Sequence, residues 1–136
     1  MVQFPFPSAF RIRRTKEYDR VFREGRKRSM GQATLVSAPN GLDHSRLGIL
    51  AGKAHGGAVV RNRVKRVFRE AFRLGRPGLP AGFDFVVIAR PLRQGWDLAS
   101  ASEVLRRLAP DVVRALEKQG RPASGPPPER SADAGP

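Results

Sequence analysis

Cysteine is absent from this chain of 136 residues. That absence excludes a disulfide framework and a thiolate metal site. Histidine occurs only as His44 and His55. Neither has a partner at metal-ligand spacing such as HxxxH, and His55 reads as structural or solvated rather than catalytic. Acidic residues number 12 against 26 Lys and Arg, and no close carboxylate pair offers acid–base chemistry. Serine lacks a nucleophile-elbow context. The glycines of Gly52–Gly57 lack the Gly-Lys-Ser/Thr ending of a phosphate-binding P-loop. The longest clean apolar run, Phe85 to Ala89, is far short of the roughly 20 residues that cross a bilayer. The opening MVQFPFPSAF has two prolines and no basic start, a poor secretory signal. These absences leave no protein-only catalytic set and no metal site, and they suit a cytoplasmic protein.

Positive charge is what the chain has in excess. Its formal net charge is +14, which attracts nucleic acid or an anionic membrane surface. The length suits one domain with one modest core. The charge is uneven: Met1 to Met30 holds nine basic and three acidic residues, whereas Gly120 to Pro136 holds two of each sign.

The stretch Gly57 to Arg76, GAVVRNRVKRVFREAFRLGR, organises the rest. At 100° per residue with Val64 at zero, Val60, Val64, Val67, Phe68, Ala71, Phe72 and Leu74 fall within about 80° of one direction. Asn62, Arg63, Lys65, Arg66, Arg69 and Arg73 fill the opposite arc with one acid, Glu70. Like charges at i,i+4 each cost a few tenths of a kcal/mol, so this helix reads as one face awaiting a polyanion. Arg61 projects at about +60°, inside the apolar arc.

Before this helix, Met1 to Ile12 reads as an irregular arm. Its Phe4, Phe6 and Phe10 either pack on the domain or belong to a loosely held segment. Thr15 to Glu24 reads as a helix with Thr15 as N-cap and Gly25 beyond its end. Tyr18, Val21 and Phe22 share one face of it. Arg26-Lys27-Arg28 reads as a loop continuing the electropositive surface. Gln32–Ser37 and Arg46–Ala51 read as the two strands of a hairpin around the turn Pro39-Asn40-Gly41. Phe83 to Arg90 reads as a strand buried on both faces. A last helix runs to about Lys118, capped by Ser100 or Ser102 and kinked or divided at Pro110. The composition of Gly120 to Pro136 reads as a disordered tail. The expected order, αββαβα, is a single α+β domain with helices on a small sheet. Its bounds are an arm over 1–12, a domain over 13–118 and a tail over 119–136.

Arginine makes planar, bidentate contacts to phosphate and stacks on bases, so the favoured partner is nucleic acid. Tyr18 and Phe22, on a basic helix, read either as platforms for unpaired bases or as core residues, and spacing alone favours the core. A general RNA-binding protein shares these features. A helix-turn-helix reading is weaker, because no helix precedes the basic one across a short turn.

RNRVKRVFREAF, Arg61 to Phe72, resembles the signature helix of the bacterial ribonuclease P protein component. RLGILAGKAHGGAVV upstream, FDFVVIAR downstream and RIRRTKEYDRVFREG near the N-terminus resemble that family's flanking blocks, in the family's order. The resemblance covers about residues 10 to 118. Two departures stand out. The family's Ser-Lys-Lys run and Gly-Asn-Ala-Val segment are replaced by Gly52-Lys53-Ala54 and Gly56-Gly57-Ala58-Val59, which leaves Lys53 as the cation of that loop. Val36 stands where some relatives carry an aromatic.

The resemblance implies the small subunit of an RNA-based endonuclease that removes the 5′ leader of precursor tRNA. In that family a catalytic RNA subunit carries the chemistry and binds the Mg²⁺, and protein and RNA form a heterodimeric ribonucleoprotein. It implies RNA contacts by Arg11, Arg13, Arg14, Lys53, Arg61, Asn62, Arg63, Lys65, Arg66, Arg69 and Arg73. It also implies a leader cleft lined by Tyr18, Phe22, Thr34 and Val36. The implied fold is a ribosomal-protein-like α+β domain with a left-handed βαβ crossover. About 98% of crossovers are right-handed, so physics alone predicts the opposite hand.

Overall fold

The computed structural model describes residues 8–118. Phe4, Phe6 and the tail expected over Gly120 to Pro136 lie outside them. Helix α1 spans Thr15–Glu24, α2 Ala58–Gly75 and α3 Leu98–Lys118. Strands are β1 Arg26–Met30, β2 Ala33–Pro39, β3 Arg46–Ala51 and β4 Phe83–Ala89. The sheet order is β1-β2-β4-β3, with β3 and β4 parallel and the other pairs antiparallel. This is a single small α+β domain with a mixed sheet and helices on both faces.

The charged run after α1 is a strand, not the expected loop. As β1 it needs only one partner, β2, and its outer edge meets water. Arg26, Lys27 and Arg28 then act as edge charges that discourage pairing with another chain. A turn at Gly31, with φ of 54°, makes β1 and β2 the hairpin. The expected hairpin between β2 and β3 does not form. β4, apolar on both faces and buried from Asp84 to Ala89, takes the central place between them. The long connection from Ala38 to Ser45 leaves room for it.

The hand of the crossover follows from residue chirality. The Arg90 amide donates to the Gln32 carbonyl, so even-numbered residues of β4 turn their amide groups toward β2. Val86 and Ile88 face α1, while Phe85 and Val87 face α2 and α3. For an L-residue on a strand running upward, with its side chain toward the viewer, the amide groups point right. Seen from α1, β2 is therefore right of β4 and β3 is left of it. The connection β3–α2–β4 passes behind the sheet from left to right, which is left-handed.

The larger core lies between the sheet and α2 and α3. Val64, Phe68, Ala71 and Phe72 of α2 meet Leu35, Leu47, Phe85 and Val87 there. Trp96 packs on Phe68 with ring centroids 5.1 Å apart and donates to the Arg90 carbonyl at 2.8 Å. The smaller core joins Val21, Tyr18 and Phe22 of α1 to Val36, Ala38, Val86 and Ile88. Val60 and Leu74, expected on the apolar arc of α2, are exposed at 43% and 53%. They sit at the two ends of the helix, beyond the reach of the sheet.

Two helix caps differ from expectation, and one of two alternatives at Pro110 is settled. Arg14 holds the N-cap position of α1 and Thr15 opens the helix. The Glu17 carboxylate caps it instead, accepting from the Arg13 and Arg14 amides at 3.1 and 3.3 Å. Asp97, rather than Ser100 or Ser102, caps α3: its Oδ1 accepts from the Ser100 amide at 2.8 Å. Pro110 lies inside α3 without dividing it, held by buried Leu108 and Ala109 before it and Val112 and Val113 after it. Among the described residues, no helix is long and apolar enough to cross a membrane.

Candidate nucleic-acid interface

Burial of Val64, Phe68, Ala71 and Phe72 fixes the rotation of α2. Asn62, Arg63 and Arg66 are therefore exposed, and Lys65 and Arg69 are half-buried beside them. Among the described residues, Arg61, Arg63, Lys65, Arg66 and Arg69 form no ion pair with an acid, although Arg73, on the same helix, does. Arg73 Nη2 lies 2.6 Å from Glu70 Oε2. Glu70 is held below the usual carboxylate range by that hydrogen bond. Arg61 sits in the first turn, half-buried, with its Nε enclosed and unpartnered. Its stem thus follows the apolar arc that periodicity assigned to it. Gly57 at the N-cap offers no side chain to the first amides of α2, which suits an anionic group there.

The loop before α2 carries Lys53, exposed on a short 3-10 turn. His55 ties this turn to the end of β4, its Nε2 lying 2.7 Å from the Ala89 carbonyl oxygen. Gly56 follows with φ of 113°, a backbone that favours glycine.

A second group of cations comes from the segment before α1. The Ile12 amide donates to the Leu47 carbonyl at 3.0 Å, which lays this segment along the outer edge of β3. Phe10 anchors it, its ring 3.9 Å beneath the Arg76 guanidinium and 5.2 Å from the His44 ring. Arg13 and Arg14 remain exposed. Between this segment, α1 and α2 lies an opening of about 270 Å³ whose lining includes Arg11, Arg13, Tyr18, Gly48, Lys65 and Arg69. Burial, then the nearby Arg11 charge, holds the Arg69 pKa below its ordinary value. Three chain segments remote in sequence thus bring cations to one place.

The four residues expected to line a cleft share the α1 face of the sheet. Thr34 and Val36 are buried, and the Thr34 hydroxyl lies 2.8 Å from that of Ser29. Tyr18 and Phe22 are half-buried against the cluster that contains Val36. Tyr18 alone of the four lines the opening beside Lys65 and Arg69.

Sequence reasoning missed one charged constellation. Asp84, fully buried, accepts from Arg46 Nε at 2.8 Å, Arg46 Nη2 at 2.6 Å, Arg20 Nη2 at 2.8 Å and Asn40 Nδ2 at 2.9 Å. It locks α1 and the β2–β3 connection to the sheet. Its signal in the sequence was a lone carboxylate inside an apolar strand, which demands partners.

Comparisons with known proteins place the chain in a family. The family model described as Ribonuclease P matches residues 6–113. The chain is similar to the ribonuclease P protein component of Roseiflexus sp. strain RS-1, with 46% identity over 82% of this chain and 87% of the relative. Its fold is similar to the solved RNase P protein of Staphylococcus aureus: the TM-score is 0.65, with 28% identity over 79% of this chain and 95% of the other. For the RNase P protein of Thermotoga maritima the TM-score is 0.56, with 32% identity over 80% and 92%. The chain belongs to the ribonuclease P protein family, as a bacterial ribonuclease P protein component.

Proposed function

We propose that this chain is the RNA-binding subunit of a cytoplasmic ribonucleoprotein that removes the 5′ leader of precursor tRNA. The catalytic RNA makes and breaks bonds in this reading, and the protein binds and positions. The arginine face of α2 without acidic partners carries the proposal. Arg63, Lys65, Arg66 and Arg69 are placed by a rigid helix and meet RNA phosphates without first breaking internal ion pairs. Arg61, Asn62 and Lys53 extend that surface toward the start of α2, and Arg11, Arg13 and Arg14 extend it along β3. Tyr18 and Phe22, above Thr34 and Val36, form the side of the domain that receives the leader. In this reading Mg²⁺ belongs with the catalytic RNA.

Neutralising closely spaced phosphates lets two RNA molecules approach each other, so the protein matters most when Mg²⁺ is scarce. The test is cleavage of precursor tRNA at low Mg²⁺, with protein alone, catalytic RNA alone, and both. Cleavage at the leader junction is expected with both, and none with protein alone. Binding of both RNAs without any gain in cleavage would make the chain a general RNA-binding protein instead.

A further inference from the structure

Tyr18 reads in the sequence either as a stacking platform or as a core residue, and its surroundings leave no open ring face on the β3 side. A Cβ at Gly48 would lie 2.6 Å from the Tyr18 hydroxyl oxygen and 2.7 Å from Cε1 and Cζ. The end of the ring therefore lies against β3 where the strand has no side chain, and no base stacks on that face. The hydroxyl end lies against Gly48, which lines the opening with Tyr18. The Leu47 carbonyl accepts from the Ile12 amide at the outer edge of β3, so the odd-numbered residues of β3 turn their amides outward. Ile49 carries one of these outward amides, and the phenolic hydrogen is what the Tyr18 oxygen offers a phosphate. Burial raises the Tyr18 pKa, which keeps that hydrogen in place at neutral pH.

Lys65 and Arg69 line the same opening. Two cations and one neutral donor suit the non-bridging oxygens of a phosphate, and such charge-assisted bonds are about twice as strong as neutral ones. We propose that Tyr18 turns its hydroxyl edge to RNA and, with Lys65 and Arg69, holds one phosphodiester, while Gly48 is the positioning residue that keeps the ring in place. The inference rests on the RNA-subunit reading and names one contact within it. The atoms nearest to a side chain at position 48 are the far end of the Tyr18 ring. The ring shifts and the fold survives.

The test measures affinity of the full-length protein for the catalytic RNA, and of the reconstituted complex for precursor and for mature tRNA. Tyr18→Phe keeps the ring and removes only the hydroxyl. It weakens binding of one of these RNAs about tenfold, the loss of one hydrogen bond to a charged group. Its slope of log affinity against log salt stays as in the wild type, whereas Arg69→Gln flattens that slope by roughly one. Loss confined to leader-bearing tRNA assigns the phosphate to the leader, and loss with the catalytic RNA assigns it there. Gly48→Ala gives at least the same loss, and adding it to Tyr18→Ala gives none further. Wild-type affinity of Tyr18→Phe for all three RNAs would overturn the hydroxyl contact. Equal loss from Gly48→Ala with and without the Tyr18 ring would overturn the positioning role. Failure of the RNA-subunit reading shows separately, as wild-type protein that supports no cleavage.

Discussion

Helices α2 and α3 have 18 and 21 residues, pack on the same face of the sheet and both carry several arginines. They treat those arginines in opposite ways. On α3, Arg106 lies 2.6 Å and Arg107 3.4 Å from Glu103, and Arg114 lies 3.2 Å from Asp111. These are intrahelical pairs one turn apart, the arrangement of a solvated face. On α2 only Arg73 has such a partner, Glu70, and the arginines and lysine before it have none. Arginine content therefore does not mark a nucleic-acid surface in this molecule. Arginine that no carboxylate pairs does: Glu70 lies one turn after Arg66 but is taken by Arg73. A third treatment lies inside, where Asp84 neutralises Arg20 and Arg46. The net charge of +14 is thus concentrated on α2 and the segment beside it.

The largest expected effect comes from breaking the internal pairing. Asp84→Asn removes a fully buried charge and leaves Arg20 and Arg46 facing each other. Urea unfolding is expected to show a loss of about 2–3 kcal/mol, below the ~3–5 kcal/mol of a wholly buried pair because both arginines reach solvent. RNA affinity at saturating folding conditions should change far less.

The next effect copies the chemistry of α3 onto α2. Asn62→Glu with Lys65→Glu sets a carboxylate one turn before Arg66 and Arg69. RNA affinity at moderate salt is expected to fall by about a hundredfold or more, since three or so phosphate contacts are lost or repelled. Thermal stability should hold or rise by a few tenths of a kcal/mol per new pair. The converse experiment unmasks α3. Glu103→Gln with Asp111→Asn frees its arginines, and filter binding should show a few-fold gain in affinity for any RNA. Cleavage by the reconstituted complex should not accelerate, because those arginines lie away from the opening beside Tyr18.

The smallest effect concerns the segment that carries Arg11 and Arg13. His44 Nδ1 lies 2.8 Å from Asp43 Oδ1 and its Nε2 2.9 Å from the Ala9 carbonyl oxygen. Only a doubly protonated ring donates to both, and the Asp43 hydrogen bond, then the Ala9 carbonyl, raises the His44 pKa. A raised folded pKa means that this contribution is full below the unfolded value near 6.5 and is lost as pH rises through the folded value. Melting temperatures between about pH 5.5 and 8 should show a slight decline that His44→Gln abolishes.

Some of this was legible in the sequence, for identifiable reasons. A period of 3.6 residues in α2 and a continuous apolar run in β4 are strong local signals, and both elements lie within a residue or two of their expected bounds. The polar arc of α2 was legible for the same reason. β1 was not, because an edge strand needs no apolar pattern and its charges imitate a turn. The pairing of β2 with β4 was not, because it depends on a segment more than 40 residues away in the chain. The left-handed crossover ran against general preference and came only from resemblance to a family. At the site, Gly48 and Asp84 escaped notice because each acts through a partner on another element. Periodicity describes one element at a time.

The central claim is that the unpaired arginine face of α2, and not arginine as such, binds RNA. It is tested most directly by the salt dependence of affinity for the cognate catalytic RNA in two triple variants side by side. One is Arg63→Gln, Arg66→Gln, Arg69→Gln on α2, and the other is Arg106→Gln, Arg107→Gln, Arg114→Gln on α3. The wild-type slope of log affinity against log salt is expected near −4 to −5, for roughly six phosphates at −0.7 to −0.9 each. The α2 variant should flatten it by about two to three and the α3 variant should leave it unchanged. Equal slopes in the two variants would contradict the account.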